Sequence, residues 1–519
     1  MAERARFKDL FEASTALSQA ELRFEKGRRT LGLIAGPLLF ILLNLFPVAE
    51  LSFEAARLLA VLAWILTWWV TEAVPIPVTA LLGPALAVVC GVGSAKTMFV
   101  SFGDPIIFLF LGSFIIAEAM FTTGLDKRFA YAILSLKWVG SSASRILIAF
   151  VVITAGLSMW LSNTATTAMM FPIGMSILTA LSRLMERSTG KTVDLTRLRY
   201  GTGLMLATAY AASIGGIATP VGTPPNLIVL GLLDKLLHVN ISFFQWMMLA
   251  SPAMILMLVF LVVYMLRAMP PEMRDIAGSR QYILEKRAGL GSWTRQEKNA
   301  MIAFAVTVSL WVLPGGLTVL VGADSPFTHA LHALLPEAVV AVFGAVLLFV
   351  LPVDWRKRRF TMTWNQAAHI DWGTLLLFGC GISLGEAMFS TGLADMMGHE
   401  LIAVTGASSL IALTFLFGTV TLLLTEVTSN TAGATMVCPL AIASAQAAGV
   451  SPIPPAVVVA LCASMAFMLP VATPPNAIVY GSGCVPITKM IKHGALFNLA
   501  SIVLVPVLVL AMCALLGIS

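Results

Sequence analysis

The chain has 519 residues, of which 58% are apolar and only 11% are charged, and its formal net charge is +6. A soluble protein needs far more polar surface, so this composition excludes a soluble domain and indicates a polytopic membrane protein. The basic residues gather in clusters between apolar stretches, which accounts for the positive charge and leaves no case for a nucleic-acid partner.

The N-terminal segment, residues 1–29, is charged and lacks the apolar run of a signal peptide. Residues 5–24 mix Leu10, Phe11 and Leu17 with charged residues. This pattern predicts an amphipathic helix on the cytoplasmic surface of the membrane.

Apolar stretches of about 20 residues, the length that crosses a bilayer as a helix, follow this segment. We predict eleven transmembrane helices, at 30–48, 54–74, 77–95, 104–124, 199–237, 244–267, 299–320, 333–352, 371–392, 455–484 and 492–516. Two of them, 199–237 and 455–484, contain proline pairs that interrupt the helix in mid-membrane, because proline removes a backbone donor and cannot continue the helical ladder.

Two further apolar regions, 140–182 and 406–446, each consist of two short arms around a polar tip. If each region crossed the membrane once, the basic cluster at 183–199 would lie outside. As re-entrant hairpins, the two regions leave every basic cluster on the cytoplasmic side, as the positive-inside rule requires. The N-terminus is then cytoplasmic, and segments 104–124 and 371–392 cross in opposite directions.

Three motifs occur twice, in the same order and at similar spacing. They are E-A-M-F-[ST]-T-G-L from Glu118 and Glu386, S-N-T-A-x-x-x-M-x-x-P from Ser162 and Ser429, and P-V-x-T-P-P-N from Pro220 and Pro470. In a membrane protein, such a duplication is typical of transporters whose binding site lies where the two halves meet. We predict an inverted repeat of residues 30–268 and 299–519, joined by a cytoplasmic linker at 269–298.

The repeated motifs offer ligands for both a cation and an anion. An interrupted helix exposes carbonyl groups that suit a small cation and N–H groups that suit an anion. Asn163 and Asn430 add an amide oxygen and an amide NH₂ at the hairpin tips. An alternative interpretation is that these residues do no more than cap helices. Their occurrence in both halves of the chain favours ligand binding. No Lys or Arg lies close in sequence to either S-N-T motif, so a bound dianion would depend on co-transported cations for counter-charge.

Five acidic residues fall in or near the predicted spans, where a charge is costly. They are Glu72, Glu118, Glu337, Glu386 and Glu426. Glu118 and Glu386 lie toward span ends, where capping or ion pairing explains them, whereas Glu426 lies next to the second S-N-T motif and is the stronger functional candidate. The cysteines and histidines have no metal-ligand or catalytic spacing, so the sequence predicts neither a disulfide set nor an intramembrane enzyme.

These motifs resemble those of the divalent anion–sodium symporter family, which includes INDY-type dicarboxylate transporters. The resemblance covers nearly the whole chain. It implies an all-α elevator transporter, a homodimer in the lipid bilayer of the bacterial inner membrane, with no organic cofactor. The expected function is sodium-coupled symport of di- or tricarboxylates of the succinate, malate and fumarate class. The alternatives are a sodium-independent dicarboxylate exchanger and a sulfate-type divalent anion carrier.

The same resemblance implies about two sodium sites around one substrate site. The first sodium site would use Ser158, Ser162, Asn163 and Gly222, and the second Thr425, Thr428, Asn430 and Ala472. The substrate carboxylates would meet Asn163, Thr164, Thr223, Asn430, Thr431, Thr473 and Pro474. Thr223 stands where several relatives have serine.

The predicted topology can be tested with two single cysteines. A cysteine at Ser188 should react with a membrane-impermeant maleimide only from the cytoplasmic side, and one at Gly449 only from outside, because the two regions before them enter and leave on the same face. Labelling of the Ser188 position from outside would contradict the inverted repeat.

Overall fold

The computed structural model describes residues 19–190, 192–322 and 325–518, and these residues are almost entirely helical. The part of the predicted amphipathic segment before Gln19 lies outside the described residues. The first helix begins at Gln19, earlier than the span predicted from residue 30, because no proline or helix-ending turn lies between Gln19 and residue 30.

The first half of the chain contains eleven helices among its described residues. They are α1 (Gln19–Leu45), α2 (Phe53–Thr71), α3 (Ile76–Val89), α4 (Ala95–Val100), α5 (Pro105–Thr123), α6 (Leu125–Leu134), α7 (Ala143–Ser158), α8 (Asn163–Thr189), α9 (Arg199–Gly216), α10 (Pro224–Leu237) and α11 (Phe243–Ala268). Short 3₁₀ turns lie at Ser101–Gly103 and Leu195–Arg197, and the linker contains α12 (Ser279–Gly289).

The described residues of the second half contain eleven more helices and one β-hairpin. The helices are α13 (Arg295–Val321), α14 (Pro326–Leu334), α15 (Glu337–Val350), α16 (Trp364–Ala367), α17 (Trp372–Ser390), α18 (Leu393–Thr405), α19 (Leu410–Thr425), α20 (Asn430–Ala447), α21 (Ile453–Ala463), α22 (Pro474–Tyr480) and α23 (Ile487–Leu516). The hairpin pairs β1 (Pro352–Asp354) antiparallel to β2 (Arg359–Phe360), with Phe360 opposite Pro352.

Eight helices of the described residues are long and apolar enough to cross a bilayer alone, and nine spans result when the bent pair of α18 and α19 is counted as one. The prediction of eleven spans also counts α3 and α15, which have only 14 residues each, and the two interrupted segments. Helix α8, which we assigned to the first hairpin, passes the same length test. The count of eleven and the hairpin assignment therefore stay predictions.

Helices α5 to α11 and α17 to α23 follow one another in the same order. In both series, the E-A-M-F-[ST]-T-G-L motif ends one helix and begins the next at a glycine with left-handed backbone conformation, Gly124 with φ 79° and Gly392 with φ 77°. Glycine adopts this conformation without steric cost. The motif therefore redirects the chain between α5 and α6 and between α17 and α18.

The two halves interlock at their interrupted helices. Helix α10, which follows the first interruption, packs against α20 and α21 of the second half. Conversely, α22 packs against α8 and α9 of the first half. Both α9 and α21 are buried along nearly their whole length. Each interruption is therefore enclosed by helices of both halves.

A buried ion pair joins the linker to the first half. Arg128 on α6 donates from Nε and Nη2 to the carboxylate of Glu297, at 2.9 Å each, and also to the carbonyl of Leu290 at 3.1 Å. The two side chains are only 11% and 6% exposed. Glu297 additionally caps α13 by accepting from the Thr294 N–H at 2.7 Å. This pair therefore fixes the start of α13 against α6.

Removal of one partner of this pair should destabilise the protein. We expect Arg128→Met to lower the free energy of unfolding by about 3–5 kcal/mol, because the Glu297 carboxylate would stay buried without its partner. Equilibrium unfolding in detergent, followed by tryptophan fluorescence, measures this change. Arg197→Met is the control, since Arg197 pairs with Asp194 while 87% exposed, and it should leave stability unchanged. Equal effects of the two variants would contradict the prediction.

Candidate functional site

The first interruption brings the polar tip of α7 and α8 against the end of α9. Ser158 Oγ donates to Asn163 Oδ1 at 2.6 Å. A Cβ atom at Gly216 would lie 2.5 Å from Asn163 Oδ1, and one at Gly222 would lie 2.4 Å from the Gly216 oxygen and 3.0 Å from the Met159 oxygen. Only glycine fits at these two positions. Side-chain and main-chain oxygens thus converge, as the coordination of a hard cation requires.

Three of the four residues predicted for the first sodium site therefore lie together: Ser158, Asn163 and Gly222. The fourth, Ser162, acts as the N-cap of α8 and accepts from the Ala165 N–H at 3.2 Å. Capping satisfies one of the free N–H groups at the helix start. The structure therefore supports the capping interpretation for the Ser162 hydroxyl, and its role as a cation ligand stays a prediction.

The second interruption is built differently. The hydroxyl of Thr425 donates to the Leu422 carbonyl at 3.0 Å, and that of Thr428 donates to the Trp69 carbonyl of α2 at 3.3 Å. Among the described residues, no hydrogen bond joins the four predicted ligands Thr425, Thr428, Asn430 and Ala472 to one another. The Asn430 amide oxygen is buried without a hydrogen-bond partner within that part of the chain. A buried oxygen without a hydrogen-bond partner is energetically costly unless a bound ligand interacts with it.

The last residue of the T-P-P-N motif closes each interruption. The amide NH₂ of Asn226 donates to the carbonyls of Gly216 and Thr219, at 3.1 and 2.8 Å. The amide NH₂ of Asn476 donates to the carbonyls of Ala466 and Leu469, at 3.2 and 3.0 Å, with the same spacing along the chain. Both asparagines are fully buried. They hold the irregular backbone in place where no helical hydrogen bond can.

Glu426 stabilises the second interruption. Its carboxylate accepts from the N–H groups of Met468 and Leu469, at 3.0 and 3.1 Å, and from Asn498 Nδ2 at 2.6 Å. In the first half, Met159 stands three residues before the S-N-T motif in place of this glutamate, and its carbonyl accepts from the Thr219 hydroxyl. The carboxylate therefore organises the backbone beside the second tip.

The residues predicted for the substrate lie at both interruptions. Thr223 is buried at the start of α10, and its hydroxyl oxygen is 3.3 Å from that of Ser464 in the second interruption. Thr473 caps α22 and accepts from the Asn476 N–H at 3.3 Å. Thr223 thus joins the two halves directly.

The remaining predicted substrate residues are more open. Thr164 and Pro474 are exposed, whereas Asn163, Asn430 and Thr431 are half-buried. Among the described residues, no hydrogen bond joins the two S-N-T tips. Asn163 therefore lies at the first interruption, and the grouping of all seven residues around one substrate stays a prediction.

A basic residue lies closer to the second tip in space than the sequence indicates. Arg28 of α1 donates from Nη1 to the Val427 carbonyl at 3.4 Å and pairs with Glu72 at 3.4 Å. The expectation that no basic side chain comes near the S-N-T motifs therefore holds along the sequence but not in space. The contact spans nearly the whole chain, and so no local pattern could reveal it.

Two of the other acids near the spans, Glu386 and Glu337, have structural partners. Glu386 accepts from the Ser101 hydroxyl at 3.0 Å. Glu337 accepts from the Phe243 N–H at the start of α11. The contact of Glu386 agrees with a structural role for that acid, whereas the same expectation for Glu118 stays a prediction.

Comparisons with known proteins identify the family. Residues 28–518 match the family described as "Sodium:sulfate symporter transmembrane region". The chain belongs to this family. It is 37% identical over 481 residues to the sodium-dependent dicarboxylate transporter SdcS of Staphylococcus saprophyticus, covering 92% of this chain and 90% of that protein. It is also 37% identical over 478 residues to the SdcS of a Staphylococcus aureus strain, covering 92% and 89%.

The fold of this family member also resembles a solved structure. The YdaH transporter of Alcanivorax borkumensis superposes with a TM-score of 0.50 at 14% identity, over 80% of this chain and 86% of that one. At this identity the likeness concerns the fold alone. The family match confirms the resemblance that we inferred from the repeated motifs.

Sequence reasoning missed three contributors to the site of this symporter-family chain. Asn226 and Asn476 close the interruptions, and Ser464 meets Thr223. Asn226 and Asn476 could have been predicted, because asparagine ends both copies of the T-P-P-N motif. Ser464 has no repeated counterpart, and only the three-dimensional contact identifies it.

The glycine at the end of α9 offers a sharp test of the first site. Gly216→Ala should raise the half-saturating sodium concentration of transport about tenfold or more, because the added methyl group would overlap the Asn163 amide oxygen and overpacking typically costs about 1–3 kcal/mol. Sodium titration of uptake into proteoliposomes measures this. Gly156→Ala is the matched control, since no atom lies within 4 Å of a Cβ there. An unchanged sodium dependence of Gly216→Ala would remove this site from consideration.

Proposed function

We propose that this chain is a sodium-coupled symporter of dicarboxylates of the succinate, malate and fumarate class. The observation that carries the proposal is that Ser158 Oγ, Asn163 Oδ1 and the backbone of Gly222 lie together at the first interruption. The dicarboxylate class is supported by the relatives, which are named sodium-dependent dicarboxylate transporters and which the chain covers over about nine-tenths of their length.

Two sodium ions would bind at the two interruptions. The first would take Ser158, Asn163 and the carbonyl oxygen of Gly222, with Ser162 close by. The second would take Thr425, Thr428, Asn430 and the carbonyl of Ala472. The unpaired amide oxygen of Asn430 supports the second site, because a cation would supply the partner that the described residues do not.

The dicarboxylate would bind between the two interruptions. Helices α10 and α22 begin at Thr223 and Thr473, and the free N–H groups at helix starts favour anions. Asn163, Thr164, Asn430, Thr431 and Pro474 complete the proposed set. Two carboxylates leaving water need counter-charge. The bound sodium ions would provide it.

Transport would follow an elevator mechanism in a homodimer with a cytoplasmic N-terminus. Helices α7–α11 and α19–α23 would form the transport body, and α1–α5 and α13–α17 the scaffold. The interlocking of α10 with α20 and of α22 with α8 supports one moving unit, because neither interruption can move without helices of the other half.

The deciding experiment measures substrate affinity at varied sodium, with choline as replacement. If sodium binding organises both tips, apparent affinity for succinate should rise with sodium. By linkage, succinate should raise sodium affinity by the same factor. Uptake that is indifferent to sodium and requires dicarboxylate on the opposite side would favour the exchanger, and sulfate uptake in preference to succinate would favour the sulfate-type carrier.

The amides at the two tips should be essential for coupling. Asn163→Ala and Asn430→Ala should each weaken substrate or sodium binding about ten- to a hundredfold, because each removes a cation ligand and a hydrogen-bond donor to a charged group. Uptake of labelled succinate into proteoliposomes under a sodium gradient measures the loss. Asn240→Ala, at an exposed position, is the control. Near-normal uptake by either tip variant would indicate that the asparagine at that tip only caps a helix.

A further inference from the structure

The hydroxyl of Thr219 joins the first tip to the first interruption. Thr219 lies in the loop of residues 217–223 between α9 and α10, and its side chain is buried. Its hydroxyl donates to the Met159 carbonyl, just after α7, and accepts from the Gly222 N–H at 3.1 Å. Among the described residues, no other hydrogen bond joins this loop to the tip at residues 159–163. One side chain therefore fixes the loop against the tip.

The tip and the loop each supply part of the proposed first sodium site. Ser158 and Asn163 lie at the tip, and the Gly222 carbonyl lies in the loop. A Cβ atom at Gly216 would lie 2.5 Å from Asn163 Oδ1 and 3.1 Å from the Gly222 oxygen, so these two oxygens border the same small space. The separation of tip and loop therefore determines the size of that space.

The second half makes the same connection with different residues. Leu469 stands in the place of Thr219, and Glu426 stands in the place of Met159. Here the side chain lies on the tip, and the Glu426 carboxylate accepts from the N–H groups of Met468 and Leu469 in the loop. Both halves thus join tip and loop although neither residue is repeated, which favours a role for the connection itself.

The first site is also more compact than the second. Gly216 and Gly222 leave no room for a Cβ atom, whereas the corresponding residues of the second half are Ala466 and Ala472. The second interruption therefore accommodates two methyl groups that the first excludes. How strongly a site discriminates between cations depends on the size of its cavity and on how far its ligands can move. Size selectivity is therefore expected at the first site.

We propose that Thr219 determines the ionic-size selectivity of the first site, because it holds the Gly222 loop at a fixed distance from the tip. This inference rests on the proposed sodium-coupled function and adds a positioning residue to it, since Thr219 is not one of the predicted ligands. Without the hydroxyl, the loop and the tip can separate. Sodium then binds more weakly, and cations of another size are excluded less strongly.

The test removes the hydroxyl and keeps the shape of the side chain. Thr219→Val should raise the half-saturating sodium concentration of succinate uptake into proteoliposomes about two- to tenfold, the range that one hydrogen bond between neutral groups contributes. The ratio of the initial uptake rate in lithium to that in sodium, at equal concentrations, should rise by a similar factor. Both rates are measured on one preparation, so the ratio does not depend on how much protein folds.

Three further variants separate selectivity from a general loss of structure. Thr219→Ser retains the hydroxyl and should behave as the unsubstituted protein does. Thr219→Ala removes the hydroxyl without placing a methyl group beside the Met159 carbonyl, and it should change the ratio in the same direction as Thr219→Val. Thr208→Val is the matched control, since the buried Thr208 hydroxyl donates to the Leu204 carbonyl of its own helix, α9, at 2.7 Å. It should leave the ratio unchanged.

The outcomes distinguish this inference from the proposed function. A lithium-to-sodium ratio that is unchanged or lower in Thr219→Val and Thr219→Ala would overturn the inference alone. The same conclusion would follow if the ratio rose equally in Thr219→Ser or in Thr208→Val. Uptake by the unsubstituted protein that does not respond to sodium would overturn the proposed function and the inference together.

Discussion

The backbone of the two interruptions must be hydrogen-bonded inside a membrane, and the rest of the site depends on this constraint. In lipid, each unpaired N–H or C=O group costs several kcal/mol, so irregular backbone persists only where other groups satisfy it. Asn226 and Asn476 provide the same solution at both places. The Trp246 indole N–H adds a bond to the Ile217 carbonyl at 3.0 Å. With these bonds made, the carbonyls that remain can face an ion without loosening the fold.

The same constraint is met by different chemistry in the two halves. In the first, close glycine contacts and the Thr219 hydroxyl bring neutral oxygens together. In the second, the Glu426 carboxylate holds the N–H groups of Met468 and Leu469. Glu426 places a carboxyl group beside the second tip, whereas the groups named at the first tip are neutral. Two cation sites built on these tips would therefore differ in their electrostatics although their motifs are nearly identical.

The sequence could predict what short-range patterns determine. Gly124 and Gly392 turn the chain where the repeated motif indicates, and the proline pairs interrupt the helices where they stand. Contacts between distant segments were not predictable, because nothing local marks them. Arg28 reaches Val427, Arg128 reaches Glu297, and Thr223 meets Ser464. The β-hairpin at Pro352–Asp354 and Arg359–Phe360 was likewise unexpected, since its strands are too short for an alternating pattern.

The interlocking of the halves gives coupling a mechanical basis. Helix α10 carries Thr223 from the first half into the packing of α20 and α21, and α22 carries Thr473 back against α8 and α9. A ligand held by both threonines would be connected mechanically to both proposed cation sites, because rigid helices lie between them. Interiors packed in this way transmit strain because they have few voids. Binding of a cation at either tip would therefore change the position of groups that meet the anion, and the anion would in turn favour the arrangement that holds the cation. Coupling of this kind needs no direct contact between the ions.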